Sequence, residues 1–392
     1  MKLTRKDLLK KGSLFCLTGL LGQSRILLAA VEKEKEFEVI NSAYVPNAVY
    51  FSDQMPVVSI VRINEKMGDA KGVGYAVAKA LDLIGGLKQV AKGKKRVLLK
   101  PNLVNAEPTD TTNPRMIEAL ARLMKKAGKD VCIAEASAGS MRNVDFNVQG
   151  YVCRTKNYKT LQGIQDDVFS KLGYKDLSKN LGIPLVNLHV GRMVRMVIPD
   201  NFVFKEIYIH EDQHKADLVC SVPMMKTHGL AGVTLSLKNV GIGGFPGLVY
   251  GTVRSEVHKR AAELEPTGTS TPIVDMVKAT KIGLSVIDAS TAMQGQGPTL
   301  MQGGELVKMN LIIASVNPLA ADIVAADVMG FDSTEIDTFK WAIKAGMKPA
   351  GLDDIRIVGE KRVKVRRQFK KPMVVPYTVI QDWYGPPCKE QI

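Results

Sequence analysis

Aromatic residues make up only 6% of this 392-residue chain, and its cysteines number five. None of them (Cys16, Cys132, Cys153, Cys220, Cys388) stands in a C-x-x-C pair. The spacing that builds structural zinc sites or protein-held iron–sulfur clusters is therefore missing. Cys132 in DVCIAEAS and Cys220 in DLVCSVP lie inside apolar, strand-like runs, where a buried free thiol packs as a small hydrophobe. No run of eighteen apolar residues occurs beyond the N-terminus, which leaves no internal candidate for a membrane-spanning helix. Nucleotide fingerprints are missing too. GVGYAV (Gly72–Val77) has Val77 where the last glycine belongs, and KNVGIGGFPG lacks the lysine and hydroxyl of a phosphate loop at the required spacing.

What is present is the composition of a globular protein, 45% hydrophobic and 24% charged, long enough for a sizeable core and for two lobes. The net charge of +15 is uneven. Residues 1–30 hold six Lys or Arg against one Asp, and KRVKVRRQFKK (Lys361–Lys371) holds seven basic residues and no acid. The second cluster lacks the interleaved aromatics of a nucleic-acid surface apart from Phe369, so it reads as a solvated or membrane-surface tail and nucleic acid is not expected as a partner. The first thirty residues combine a basic start, an apolar stretch from Ser13 to Gly22, and Ala29–Ala30 as a cleavage position. Thr4 to Lys10 resembles a twin-arginine signal with Lys6 in place of the second arginine. Export to a periplasmic or membrane-associated location is the expectation if this leader works, and a cytoplasmic one otherwise.

Strand-like and helix-like segments alternate. VVSIVRI, RVLLKPNLV and DVCIAEAS read as near-continuous apolar strands, and NPRMIEALARLMKKAGK reads as a helix with Asn113 as N-cap, Pro114 at its first position and Gly128 past its end. GRMVRMVIP and KEIYIHED predict an antiparallel pair. The rhythm predicts an α/β fold, a mostly parallel sheet flanked by helices, in two lobes and with an added antiparallel portion. The expected division is an export leader or anchor (1–30), a linker (31–54), a first lobe (55–215), a second lobe (216–359) and a basic, proline-containing tail outside the compact body (360–392).

Open parallel sheets place ligands at the carboxyl ends of their strands, and ionisable residues gather there. Lys100 and Asn102 follow RVLL, Glu135 follows DVCIA, Lys226 and His228 follow DLVCSVPMM, and Asp288 follows GLSVI. VPMMKTHGLAGVTLSLKNVGIGG sets Lys226, His228, Lys238 and Asn239 among apolar residues and glycines. Packing alone does not call for ammonium groups there, whereas a site for an anion does. The glycines of KNVGIGGFPG fit either a nest of backbone N–H groups beside Lys238 or a turn or lid. His228 and His258 are candidates for acid, base or metal ligand, whereas His210 and His214, four apart in HEDQH at a spacing that on a helix would suit one metal, follow a strand-like run and read as surface residues.

These segments together resemble the family catalogued as domain of unknown function 362. The likeness runs over roughly residues 55–360 and is carried by RVLLKPNLV, TTNP, VCIAEAS, PMMKTHGLAGVTLSLKN, VHKRAAEL, IVDMV, LSVIDAS with GQGP, and NPLAADIVAADVMGF. The resemblance implies functional roles for Lys100, Asn102, Lys226, His228, Lys238, Asn239, His258 and Asp288. It departs at Gln296, where Asn is commoner in the family, and in lacking the ferredoxin-like segment some members add.

Two readings follow. In the first, an exported enzyme acts on a small carboxylated or phosphorylated molecule. Lys100, Asn102, Lys226, Lys238 and Asn239 bind it, His228 or His258 moves a proton, and Asp288 or Glu135 orients the base or holds a divalent metal. In the second, a binding or maturation protein holds a ligand or redox cofactor without chemistry of its own, with a redox partner protein as a candidate partner. On either reading Lys226 lines a pocket, so Lys226→Met is expected to cost little stability.

Overall fold

The central strands are apolar on both faces because both faces are covered. In β3 (Arg96–Pro101), Val97 and Leu99 enter one core while Leu98 enters the other. In β12 (Gly304–Ser315), Ile312 and Ala314 face the first and Leu311 and Ile313 the second. This two-residue period with no polar face is what a doubly covered sheet requires. The computed structural model describes residues 37–138, 155–264 and 269–373, all within the compact unit Phe37–Cys388. The expected leader, Cys16, Cys153 and Cys388 lie outside the described residues.

The main sheet has ten strands. Its path runs from β13 (Arg356–Gly359) through β2 (Val57–Arg62), β12, β11 (Ile282–Gly295), β8 (Leu218–Val222), β3 and β4 (Asp130–Glu135) to β5 (Leu185–Asn187). Neighbours along this path are parallel except where β12 pairs antiparallel with β2 and β11. Strands from both sides of residue 215 therefore share one hydrogen-bonded sheet, with β8 beside β3. The predicted antiparallel pair is present in a separate three-stranded sheet, where β6 (Met193–Val197) lies between β1 (Val39–Ser42) and β7 (Glu206–His210).

Helices α1 (Asp69–Leu83), α2 (Pro114–Lys126), α3 (Tyr158–Lys171) and α4 (Tyr174–Leu181) supply residues to the core that holds Val97 and Leu99. Asn113 caps α2 by accepting from the Arg115 N–H, with Pro114 at N1, and Gly128 takes a left-handed φ of 71° just beyond. The opposite core receives α5 (Ser236–Gly243), α7 (Ser270–Ala279), α8 (Pro318–Val328) and α9 (Asp337–Lys344). α6 (Ser255–Leu264) precedes α7.

Two segments differ from the sequence expectation. KNVGIGG is neither lid nor turn. It forms most of α5, and its glycines serve close packing, since a Cβ on Gly241 would meet the Ile273 carbonyl at 2.9 Å. The basic segment 362–373 belongs to the body. Val365 and Phe369 are buried in the core, the Arg367 and Phe369 N–H groups donate to Val328 and Met329, and Arg362, Arg366, Lys370 and Lys371 pair with Asp327, Glu305 and Glu335.

Candidate functional site

The carboxyl edge is built around a buried ion pair. β3 delivers Lys100 and β4 delivers Glu135, each no more than 2% exposed, and the ammonium lies 2.5 Å from Glu135 Oε1. Glu135 also accepts the backbone N–H groups of Leu103 at 2.9 Å and Ala136 at 2.8 Å. Burial pushes the Lys100 ammonium below its usual range, while Glu135 opposes that shift. Asn239 of α5 completes the joint by accepting from Lys100 Nζ at 3.4 Å and donating to the Lys100 carbonyl at 3.0 Å and Ser221 Oγ at 3.1 Å. A side chain on Gly243 would collide with Lys100, so this glycine lets α5 lie directly on the pair. Glu135 and Asn239, expected as catalytic and ligand-binding, thus spend their polar atoms on holding β3, β4, β8 and α5 together.

Lys226 stands in β9 (Met224–His228), a strand of its own rather than a loop, paired with β10 (Gly232–Thr234) and with β11. It is fully buried, and its ammonium donates to the carbonyls of Asp110 at 2.6 Å and Pro298 at 3.2 Å. The sequence expectation of an open, pocket-lining lysine does not hold. Lys226 ties the loop before α2 to the tip of the β11–β12 hairpin, so Lys226→Met would strand two carbonyls rather than pass unnoticed. Burial pushes its pKa down to about 7, against the pull of Asp110 and Glu135.

His228 ends β9. Its Nδ1 accepts the Leu230 N–H at 3.0 Å, which leaves the ring proton on Nε2. Burial, then Lys238, Lys226 and His258, hold the ring well below the ordinary imidazole range, so it is neutral. Lys238 is half-buried on the first turn of α5 and makes no hydrogen bond or ion pair among the described residues. Burial pushes it down to about 7, helped by Lys226, Arg254 and Lys100. His258 in α6 is buried and pushed down to about 3 by burial, then by Lys238 and Arg254.

Lys100, Lys226, Lys238, His228 and His258 therefore fall into one electrostatic cluster. Asp288 serves another purpose. Its Oδ1 accepts from the Ser290 N–H and hydroxyl and its Oδ2 from the Asn113 N–H at 2.8 Å, which anchors the start of α2. Asn102 donates its backbone N–H to Thr112 Oγ1 at 2.9 Å and accepts the Thr112 N–H at its carbonyl at 3.0 Å, while its side-chain Oδ1 is buried without a partner.

Three contributors were not singled out in the sequence, although Asp322 lies within NPLAADIVAADVMGF. Arg254, buried at a left-handed φ of 58°, donates through Nη2 to the Ala136 carbonyl. His189 bridges the Ser137 carbonyl at 2.8 Å and the Gly247 N–H at 3.1 Å and is pushed down to about 3, chiefly by burial. Asp322 of α8 accepts the Ser236 and Leu237 N–H groups at 2.8 Å each, capping α5, and burial pushes it up to about 7. His210 is buried rather than superficial, with its ring on the Val190 carbonyl and the Asp212 N–H, and His214 reaches Ser42 instead. Among the described residues no group of three His, Cys, Asp or Glu side chains is placed to hold a metal ion. A cleft of about 420 Å³ opens at the opposite, amino edge, lined by Arg96, Lys125, Lys129, Asp130, Cys132 and Lys215 among others, and contains none of these site residues.

Comparison with known proteins places this edge in context. A model of the family described as Domain of unknown function (DUF362) matches residues 97–327, a stretch that includes every site residue named above. The thylakoid-associated protein sll1697 of Synechocystis sp. (strain ATCC 27184 / PCC 6803 / Kazusa) is 25% identical over 323 residues, covering 81% of this chain and 89% of that protein. Among solved structures, the lactate racemase apoprotein from Thermoanaerobacterium thermosaccharolyticum aligns with a TM-score of 0.34 at 16% identity over 61% of this chain, which spans about half of that one (52%).

Proposed function

This chain belongs to the family described as Domain of unknown function (DUF362), and we propose that it is an enzyme acting on a small carboxylated or phosphorylated anion held at the carboxyl edge of the sheet. The observation that supports this reading is the excess of buried positive charge. Lys100, Lys226, Lys238 and Arg254 act on one another there, against the carboxylates of Glu135 and Asp110. Glu135 is already paired, and Asp110 accepts from Asn105 at 2.8 Å and the Leu300 N–H at 3.0 Å. Buried like charges raise one another's energy, and an anion relieves them all at once. Lys238 is the cation without a partner among the described residues, so it is the one that reaches the ligand. His228, whose ring proton is on Nε2, feels the Lys238 charge most strongly after burial.

Titration with inorganic phosphate should raise the melting temperature at pH 6.5 and do so much less at pH 8.5. Anion binding favours protonated Lys226 and Lys238, which lose their protons near pH 7 in the empty protein. Lys238→Met should weaken phosphate binding by about tenfold or more, the usual scale for a charge-assisted hydrogen bond. Unchanged affinity in Lys238→Met would refute the site.

Export is part of the same proposal. The first thirty residues have leader character, and a relative is described as thylakoid-associated. Fractionation of cells expressing the whole chain or residues 31–392 should place only the former outside the cytoplasm or on membranes. Equal distribution of the two would end this part of the reading.

A further inference from the structure

We propose that Lys238 is a nucleophilic amine that forms an imine with a carbonyl substrate bearing a carboxylate, the 2-oxo acid class; this rests on the anion-site reading above. Four features of its placement disfavour an ammonium at this position. Lys238 is the third residue of α5, where the aligned peptide dipoles put partial positive charge. Asp322 neutralises the Ser236 and Leu237 N–H groups but forms no ion pair with the lysine. The charges acting on Lys238 are Lys226, Arg254 and Lys100, all positive. The half-buried setting removes part of the hydration an ammonium needs.

Each of the other two lysines is occupied. Lys100 is paired with Glu135, and Lys226 donates to the Asp110 and Pro298 carbonyls. Lys238 makes no such contact among the described residues and sits near pH 7 in its titration, so a large fraction is the free amine at neutral pH. A lysine beside another cation in a desolvated site is the arrangement that activates an amine as a nucleophile. A phosphate ester gains nothing from a neutral amine, whereas a 2-oxo acid uses both parts of the site. Its carboxylate is drawn by the net positive charge that Lys226, Arg254 and Lys100 set up around Lys238, and its carbonyl meets Lys238.

The chemistry balances without a further reagent. The Lys238 nitrogen lone pair forms the N–C bond as the C=O π pair moves to oxygen, and one amine proton passes to that oxygen to give the carbinolamine. The C–O bond then breaks, the remaining N–H proton leaves with the hydroxyl as water, and the C=N bond forms. The neutral His228 ring, with its proton on Nε2, polarises the carbonyl oxygen as a donor and is not consumed.

The test is reductive trapping on the full chain. The protein is incubated at pH 7 with pyruvate, glyoxylate or 2-oxoglutarate and sodium cyanoborohydride, then measured by intact mass and peptide mapping. The expected result is one adduct, the mass of the oxo acid less one oxygen, on Lys238. It should exceed labelling of the exposed Lys259 by at least about tenfold, since an ordinary lysine is almost wholly protonated at that pH. Phosphate should suppress it. Lys238→Met and Lys238→Arg should both abolish it, and the second, keeping a charged helix residue, guards against loss of fold. If an oxo acid raises the melting temperature but no adduct forms at Lys238, the imine is wrong and the anion site stands. If neither oxo acids nor phosphate bind, the anion site fails and the imine with it.

Discussion

Replacing Glu135 by leucine should lower the stability of the protein by about 3–5 kcal/mol, the usual result of removing one partner of a buried ion pair. For a domain of this size the melting temperature should fall by roughly 6–20 °C. The change leaves the Lys100 ammonium, 1% exposed, with only carbonyl and amide oxygens at 3.4 Å, and deprives the Leu103 and Ala136 N–H groups of their acceptor. Glu135→Gln keeps an acceptor for those amides and should cost less. Adding Lys100→Met to Glu135→Leu should restore much of the loss, because the stranded charge is then gone. Calorimetry on the four proteins of this cycle decides the matter. A loss under about 1 kcal/mol for Glu135→Leu, or no recovery in the double variant, would mean that the pair does not hold the sheet edge and that Glu135 is available for the chemistry the sequence suggested.

That reversal marks where sequence reading stops. The apolar runs of β2, β3 and β4 fixed a doubly covered parallel sheet because burial on both faces leaves no choice of residue, and Asn113, Pro114 and Gly128 bounded α2 by backbone rules that act locally. The gathering of Lys100, Glu135, Lys226 and His228 at one edge follows from topology, since parallel strands all end on the same side. Whether a lysine at that edge is spent on the protein itself is decided at long range. Lys226 meets carbonyls 116 and 72 residues away, and nothing near it in sequence announces them. Arg254 and His189 belong to no motif, and only the fold brings them beside β4. In the basic segment, charge masked the two apolar residues, Val365 and Phe369, that dock it. In α5 the glycines read as a loop because their use is contact with Lys100 and Ile273, which a sequence does not display.

Between pH 7 and pH 9 the ligand-free protein should become more stable, by about 2–5 kcal/mol in all. Lys226 and Lys238 titrate near 7 in the folded state against 10.5 for an ordinary lysine. Over this window the unfolded chain therefore holds up to two protons that the native state lacks. Stability rises with pH wherever the unfolded state binds more protons, by about 1.4 kcal/mol per pH unit for each. The gain is complete only above the unfolded value and is lost as the pH falls through 7. Asp322, pushed up to about 7, opposes the rise only slightly, because most of its native-state proton is gone just above pH 7. His228 and His258 stay neutral throughout, and Lys100, itself shifted down, acts in the same direction. The buried thiols of Cys132 and Cys220, both shifted up, oppose the trend only above their ordinary value of 9.0. Urea unfolding at pH 7, 8 and 9 in a phosphate-free buffer measures the slope, and Lys238→Met should roughly halve it. Saturating phosphate should flatten the profile, because an anion that holds both lysines protonated removes the difference in bound protons. A flat or falling profile in the empty protein would mean that these lysines keep ordinary protonation in the fold, and neither the excess buried charge nor the reactive amine would then have a physical basis.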